Sequence, residues 1–158
     1  MSDMQSFLYV TYIRTTPEKL WQALTEPEFT RRYWIGTHQE CDWKPGSSWR
    51  LVFSDGTLAD TGEVVDVDPP KRLVLKWRNE FMPDLKAEGY TRCTFTLEPD
   101  GDVVKLTVLH EGPKKFVEAV SHGWPHVLSS LKSLLETGQG LPGTDAMPEF
   151  DKEPVAKG

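Results

Sequence analysis

The stretch VSHGWPHVLSSLKSLLETG, residues 120–138, carries the strongest helical pattern of the chain. Its apolar side chains recur at helical spacing, at Val127, Leu128, Leu131, Leu134 and Leu135. Gly138 follows this pattern, and glycine commonly ends a helix because it adopts the left-handed backbone conformation at little cost. We therefore expect one long helix over about residues 114–136.

The first half of this helix contains Gly123, Trp124 and Pro125, with a histidine on either side. Proline inside a helix removes one hydrogen bond and clashes with the carbonyl group four residues earlier, here that of Ser121. This predicts a kink or bulge at residues 121–124, where glycine lets the strained turn form or a neighbouring group approach. In one interpretation the upper half of the helix roofs a cavity. In the other, the kink only fits the helix to a curved sheet.

The sequence before this helix changes to the two-residue alternation of antiparallel strands. The predicted strands cover residues 38–41, 48–53, 58–68, 72–78, 90–98 and 103–110. A further strand at 7–14 precedes two short helices, whose first residues are Pro17 and Pro27. A sheet with one apolar face must bury that face, and only the last helix is long enough to cover it. The predicted fold is therefore α+β, with a curved antiparallel sheet around the helix and a cavity between them.

Length and composition indicate one domain, which we place at residues 1–138 of the 158, followed by a flexible tail at 139–158. The net charge of −6 disfavours nucleic acid as a partner, because duplex binding requires a dense basic surface. Cys41 and Cys93 match no metal-ligand spacing and are expected to be reduced thiols. The chain begins without a secretory signal pattern and has no apolar run long enough to span a membrane. We expect a cytoplasmic protein.

Three segments resemble a known family: YVTYIRTTPEKLWQALTEPEFTRRYW (9–34), GEVVDVDPPKRLVLKW (62–77) and HGWPHVLSSLKSLLE (122–136). They resemble the activator of heat-shock-protein-90 ATPase homologue family, part of the START-like (SRPBCC) helix-grip superfamily. The resemblance covers about residues 7–136. It implies about seven antiparallel strands around a long C-terminal helix, with a mostly apolar cavity.

The superfamily also indicates a range of functions. Its members bind lipids, sterols, plant hormones or polyketides, and a minority are enzymes such as polyketide aromatase/cyclases. The eukaryotic activator carries an additional N-terminal domain that engages the chaperone, whereas this chain begins at the first strand of the helix-grip fold. A chaperone partner is therefore not our first expectation, although it stays open.

A set of aromatic side chains on the predicted strands and helices is suited to lining a ligand pocket, since such pockets are mostly apolar and aromatic. The alternative is that each ring only fills the core. Taken as a set, with one histidine added, the candidate ligand-binding residues are Trp34, Trp49, Phe53, Trp77, Tyr90, Phe95, His110 and Trp124.

His110 is included because alternation places it on the inward face with Val104, Leu106 and Val108. An inward histidine can orient a polar ligand group or move a proton, but it can also simply be hydrogen-bonded at the rim. Glu111 points the other way, so the two are not an acid–base pair. His122 and His126 are spaced as two zinc ligands could be, but Gly, Trp and Pro between them do not resemble a zinc motif. We assign no catalytic residue, metal or cofactor.

These observations favour a protein that binds a small, largely apolar molecule in the cavity over an enzyme. A cyclase- or hydrolase-like enzyme using the same cavity is the first alternative, and a co-chaperone or other protein-interaction module is the second. A homodimer is possible through strand edges or through the segment 81–83, Phe-Met-Pro. The same segment could instead act as a gate to the cavity.

Overall fold

The computed structural model describes residues 4–146, which form a seven-stranded antiparallel sheet and four helices. The strands are β1 (Met4–Ile13), β2 (His38–Cys41), β3 (Ser48–Val52), β4 (Leu58–Asp68), β5 (Arg72–Asn79), β6 (Thr91–Asp100) and β7 (Val103–Pro113). The helices are α1 (Pro17–Thr25), α2 (Pro27–Tyr33), α3 (Pro83–Lys86) and α4 (Lys114–Thr137). None of the helices in residues 4–146 has the length and apolarity needed to cross a membrane.

The strands lie in the order β1-β7-β6-β5-β4-β3-β2, so the sheet has β1 at one edge and β2 at the other. Bulges interrupt the register between β3 and β4 at Leu51/Val52 and between β4 and β5 at Val64/Asp66. Bulges bend a strand, which helps the sheet to curve. The inward side chains of β5, β6 and β7 form one core with Leu128, Leu131 and Leu134 of α4. The predicted α+β helix-grip fold is confirmed.

Local sequence explains where α1 and α4 begin or end. The Thr16 hydroxyl caps α1 by accepting a hydrogen bond from the backbone N–H of Lys19 at 3.2 Å, and Pro17 occupies the first turn. Gly138 ends α4 with φ +90°, and its N–H donates to the carbonyl of Leu134 at 2.8 Å. These are the boundaries that the sequence predicts.

Pro125 does not divide α4, which continues as one α-helix from Lys114 to Thr137. The predicted bulge is therefore absent. Buried neighbours explain why the helix tolerates the proline: Trp124, Val127 and Leu128 are all packed into the core, and their burial offsets one missing hydrogen bond. Gly123 does not serve a close approach either, because a Cβ added there would have no heavy atom within 4 Å.

Two stretches differ from the predicted strand ends and loops. β7 continues to Pro113, because Glu111 and Gly112 pair with Ser6 and Gln5 of β1. The segment after β5 contains the short helix α3, whose Leu85 is buried. One turn of helix leaves too short a pattern in the sequence to be recognised.

The first residues of the segment predicted to be a flexible tail pack onto the domain. The Ser130 and Thr144 hydroxyls are hydrogen-bonded at 2.7 Å, and Ser130 Oγ also accepts from the N–H of Leu141 at 2.8 Å. Thr144 is buried. Residues 139–146 are thus held by polar contacts with α4, which the Gly- and Pro-rich composition does not indicate. The rest of the predicted tail, 147–158, lies outside the described residues.

Candidate ligand-binding site

A cavity of about 480 Å³ lies between the first half of α4 and strands β3, β4 and β5. The short helix α3 and the segment after α2 complete its walls. Most of its lining is apolar, and aromatic rings supply much of that surface. The polar lining residues are few: Thr37, Asp60, Asn79, His122 and His126. The site therefore combines an apolar interior with a small number of polar groups, as ligand pockets usually do.

Three tryptophans from distant parts of the chain form one aromatic wall. The ring centroid of Trp34, which follows α2, lies 6.0 Å from that of Trp77 on β5 and 5.4 Å from that of Trp124 on α4. Trp77 and Trp124 are 5.6 Å apart in an edge-to-face arrangement. All three line the cavity. Phe53 lines it as well, with its ring 5.2 Å from that of Phe81. Of the eight candidate binding residues, these four face the cavity.

Two further candidates lie behind this wall. Trp49 is fully buried, with its ring 4.5 Å from that of Trp77. Its indole N–H donates to Gln39 Oε1 at 2.8 Å, which holds the ring in the core. Phe95 packs edge-on against Trp124 at 5.9 Å. Both rings support the cavity wall and neither is part of its lining.

Tyr90 lies outside the cavity and is half exposed. Its ring lies under the Arg78 guanidinium at 4.9 Å and the Lys76 ammonium at 5.7 Å. The residue directly precedes β6, so its position differs from the inward face on which Thr91, Cys93 and Phe95 lie. The structure therefore gives Tyr90 a cation–π contact at the surface and no contact with the cavity.

His110 is fully buried next to the aromatic wall, in a closed hydrogen-bond chain. The Trp124 indole N–H can only donate, so His110 Nδ1 accepts this bond, which is 3.0 Å long. His110 Nε2 therefore carries the proton and donates to Thr91 Oγ1 at 2.9 Å. The Thr91 hydroxyl in turn donates to the Trp77 carbonyl at 2.8 Å. Burial lowers the pKa of His110 to about 3. A neutral, fully hydrogen-bonded imidazole positions Trp124 and offers no free nitrogen to a ligand.

Asp60 on β4 is a buried carboxyl group in the wall of this apolar cavity. Its register partner on β5 is Asn79, whose Nδ2 donates to Asp60 Oδ1 at 3.2 Å. Asn79 is itself fixed, because its Oδ1 accepts from the Met82 N–H at 2.8 Å. Burial raises the pKa of Asp60 to about 7, although hydrogen bonds from Trp77 and Asn79 work in the opposite direction. The site thus contains a carboxyl group that changes charge near neutral pH.

Exposed residues of α4 form part of the cavity mouth, together with Met82 and Gly143 from other segments. His122, Gly123 and His126 all line it and are exposed to solvent. An added Cβ at Gly123 would meet open space, so a larger side chain at this position would project from the mouth. No group of three or more His, Cys, Asp or Glu side chains suited to a metal ion occurs within residues 4–146.

Ile35 lines the cavity in a strained backbone conformation, with φ +44°. A β-branched residue rarely adopts positive φ, and such a conformation costs on the order of 1–3 kcal/mol. Gly36 follows with φ +74°, and a Cβ there would lie 3.1 Å from Ala146 Cα. The segment after α2 is therefore held in place by packing, which keeps Trp34 in the aromatic wall.

Sequence analysis missed Asp60 and Asn79, although the sequence carries a signal for Asn79. Alternation along β5 places Leu73, Leu75, Trp77 and Asn79 on one face. Asn79 is the polar residue at the end of this otherwise apolar face, and such a residue is a candidate for the lining of a ligand pocket. Asp60 sits between Leu51 and Asn79 in the paired strands, a position that only the strand register reveals.

The chain matches a known protein family over most of its length. A family model described as "Activator of Hsp90 ATPase homolog 1-like protein" matches residues 14–136, most of the chain. The chain belongs to this family. The suspected membership is confirmed, and the helix-grip architecture is the one expected for an activator-homologue protein. No curated protein matches the chain.

Three solved structures illustrate the similarity in fold. Protein MLL2253 from Mesorhizobium loti is 25% identical, with a TM-score of 0.71 over 84% of this chain and 97% of that chain. The Aha1 dimer from Colwellia psychrerythraea is 21% identical, with a TM-score of 0.66 over 86% and 99% of the two chains. DynU16, a protein of the dynemicin biosynthetic locus, is 23% identical, with a TM-score of 0.70 over 89% of this chain and 49% of that chain.

Proposed function

We propose that this activator-homologue protein binds a small, largely apolar molecule in the cavity between α4 and the sheet. The observation that carries the proposal is the cavity of about 480 Å³, walled by Trp34, Trp77 and Trp124. Its volume lies within the range of roughly 300–1,000 Å³ that is usual for small-molecule pockets. Apolar surface removed from water would supply most of the binding free energy.

The wall is preorganised, which favours binding over collapse of the cavity. Trp124 is oriented by its hydrogen bond to His110, and Trp77 is backed by Trp49. A ligand that enters therefore meets rings that are already fixed, and little side-chain entropy is lost on binding. The exposed position of Gly123 supplies the entrance.

The first test blocks this entrance. In Gly123→Phe a large side chain would project from the lining of the mouth, where the glycine leaves open space. The matched control is Ser129→Phe, which adds the same ring to an exposed position of α4 outside the cavity lining. The probe is the neutral fluorophore N-phenyl-1-naphthylamine, whose emission rises in apolar surroundings.

We expect wild type and Ser129→Phe to bind the probe with equal affinity, and Gly123→Phe to bind at least about tenfold more weakly. Near-ultraviolet circular dichroism checks that all three proteins keep their packed tryptophans. Undiminished binding by a folded Gly123→Phe would place the probe elsewhere on the protein. Absence of binding to wild type would contradict an accessible apolar cavity.

The enzyme alternative requires a proton-transferring group in contact with the cavity contents. His110 is engaged on both nitrogens, so it does not suit that role. Asp60 lines the cavity and has a pKa near neutrality, so any acid–base chemistry would centre on it. The enzyme alternative therefore depends on a residue other than the histidine first considered.

The remaining proposals concern partners and location. We propose that the protein forms a homodimer through β1, an edge strand that exposes Leu8, Val10 and Tyr12. The relative from Colwellia psychrerythraea is described as a dimer, which supports dimer formation but does not identify the strand involved. The segment 81–83 is better suited to the cavity, because Phe81 and Met82 line it. We propose that the protein acts in the cytoplasm, with a chaperone as the alternative partner.

A further inference from the structure

We propose that Asp60 and Asn79 form the polar anchor of the cavity and that they select ligands with a basic nitrogen. The cavity would then take a largely apolar molecule that carries a primary or secondary ammonium group. This inference rests on the proposed binding function and specifies its ligand class.

The geometry isolates the carboxyl group within the apolar wall. Asp60 is only 7% exposed, yet it lines the cavity together with Asn79. Its side-chain hydrogen-bond partners are the neutral donors of Asn79 and Trp77. Among the described residues 4–146, no salt bridge reaches Asp60. A buried carboxylate normally has a cationic partner, so this site has a place for a positive charge that the ligand can supply.

The charged groups next to Asp60 leave it without a cationic partner. Glu80 follows Asn79 on the chain, and its negative charge acts on Asp60. The two cations near Glu80 are already engaged, since Arg78 Nε lies 2.7 Å and Lys86 Nζ 3.2 Å from its carboxylate oxygens. Glu80 is also bonded to Thr61 Oγ1 at 2.6 Å. Arg78 and Lys86 thus neutralise the carboxylate of Glu80, whereas Asp60 lines the cavity without a cationic partner.

Among the described residues that line the cavity, no acidic side chain other than Asp60 occurs, so a ligand cation has one anionic group to contact there. The neighbouring strand β3 presents Leu51, and α3 presents Leu85, both apolar. On α4 the ionisable lining groups are His122 and His126, at the exposed mouth. Both imidazoles lie where a ligand would enter, so variants that lack them serve as a control.

An ammonium group fits this anchor better than a hydroxyl or a carboxylic acid. It brings its own positive charge and several donors, and charge-assisted hydrogen bonds are roughly twice as strong as neutral ones. A hydroxyl supplies one neutral donor, and a ligand carboxylate would meet the like charge of Asp60. Because burial holds the pKa of Asp60 at about 7, the preference for an amine should grow as pH rises through neutrality.

The experiment compares three probes of nearly equal shape: 1-naphthylmethylamine, 1-naphthylmethanol and 1-methylnaphthalene. Binding is measured by quenching of the tryptophan emission, since Trp34, Trp77 and Trp124 line the cavity. The proteins are wild type, Asp60→Asn and the control Glu63→Gln, which removes a charge from an exposed position of the same strand. Titrations at about pH 5.5 and 8.5 bracket the ionisation of Asp60.

We expect wild type and Glu63→Gln to bind the amine at least about tenfold more tightly than the alcohol at the higher pH. In Asp60→Asn this preference and its pH dependence should vanish, while affinity for 1-methylnaphthalene stays unchanged. At the higher pH the double variant His122→Gln/His126→Gln should still bind the amine more tightly than the alcohol, so that loss of the preference in Asp60→Asn assigns it to Asp60.

Each outcome is decisive. Equal affinity of wild type for amine and alcohol would overturn the amine anchor while leaving the apolar binding function intact. A preference that persists in Asp60→Asn would place the amine site elsewhere. Failure of wild type to bind any of the three probes, including the hydrocarbon, would overturn the proposed function itself.

Discussion

Asp60 and His110 are buried ionisable side chains whose pKa values are displaced in opposite directions by the same cause. Burial disfavours the charged form, so it raises the pKa of Asp60 from 3.8 to about 7 and lowers that of His110 from 6.5 to about 3. Between pH 4 and 6.5 the folded protein therefore holds a proton on Asp60 that the unfolded chain releases. Over the same range the unfolded chain holds a proton on His110 that the folded protein lacks.

These two groups have opposite effects on stability. Asp60 stabilises the fold fully below pH 3.8, and this contribution is lost as pH rises through 7. The neutral His110 contributes stability above pH 6.5, which is lost as pH falls toward 3. Each effect approaches about 1.4 kcal/mol per pH unit, so the two nearly cancel between pH 4 and 6.5.

Removing one group should expose the other. In Asp60→Asn we expect the free energy of unfolding to increase with pH between about 5 and 6.5, with a slope approaching 1.4 kcal/mol per unit. In His110→Gln we expect the free energy to decrease with pH over the same interval. Urea unfolding at several pH values measures these slopes, with the exposed Glu63→Gln as control. Wild-type-like slopes in both variants would mean that neither group changes its proton affinity on folding.

Gly62 and Gly123 show how differently a glycine can serve a strand and a helix. A Cβ added at Gly62 of β4 would lie 1.7 Å from the Lys76 carbonyl oxygen of β5, so the two backbones would have to separate. A Cβ at Gly123 of α4 would meet open space at the cavity mouth. Strand packing therefore requires a glycine at position 62. At position 123 no neighbouring group requires one.

We therefore expect Gly62→Ala to lower the free energy of unfolding by several kcal/mol, on the order of 3 or more. Gly123→Ala should raise it by roughly 0.5–1 kcal/mol, because alanine has less backbone freedom to lose in a helix. Chemical denaturation of both variants beside wild type gives the two values. A stabilising Gly62→Ala would contradict the close approach of β4 and β5 at this point.

The sequence predicts the elements well because their patterns are periodic and local. The alternation of β6 and β7 places Phe95 and His110 on the inward face, where the structure has them. The site is predicted less completely, since it depends on register and packing. Nothing in the spacing of His110 reveals that Trp124 and Thr91 occupy both its nitrogens. Tyr90 shows a related limit, because its ring faces the surface just before β6 begins.

At the scale of the whole molecule, β1 is the most exposed apolar surface of the sheet. It pairs with β7 on one side and forms the edge of the sheet on the other. Its outward side chains are apolar at alternate positions, with Leu8 60%, Val10 42% and Tyr12 47% exposed. Edge strands with exposed apolar side chains associate readily, and a second copy of the chain would cover them symmetrically.

We expect wild type to sediment as a dimer at micromolar concentrations, and Leu8→Lys/Tyr12→Lys to sediment as a monomer. The added ammonium groups would have to be buried without partners in the dimer, and this costs more than the lost contacts alone. Val65→Lys is the matched control, because Val65 is an exposed apolar residue of β4, away from the edge. Since β1 contributes no residue to the cavity lining, the monomeric variant should still bind N-phenyl-1-naphthylamine. A monomeric wild type, or a dimer that survives both lysines, would show that β1 is not the contact between copies.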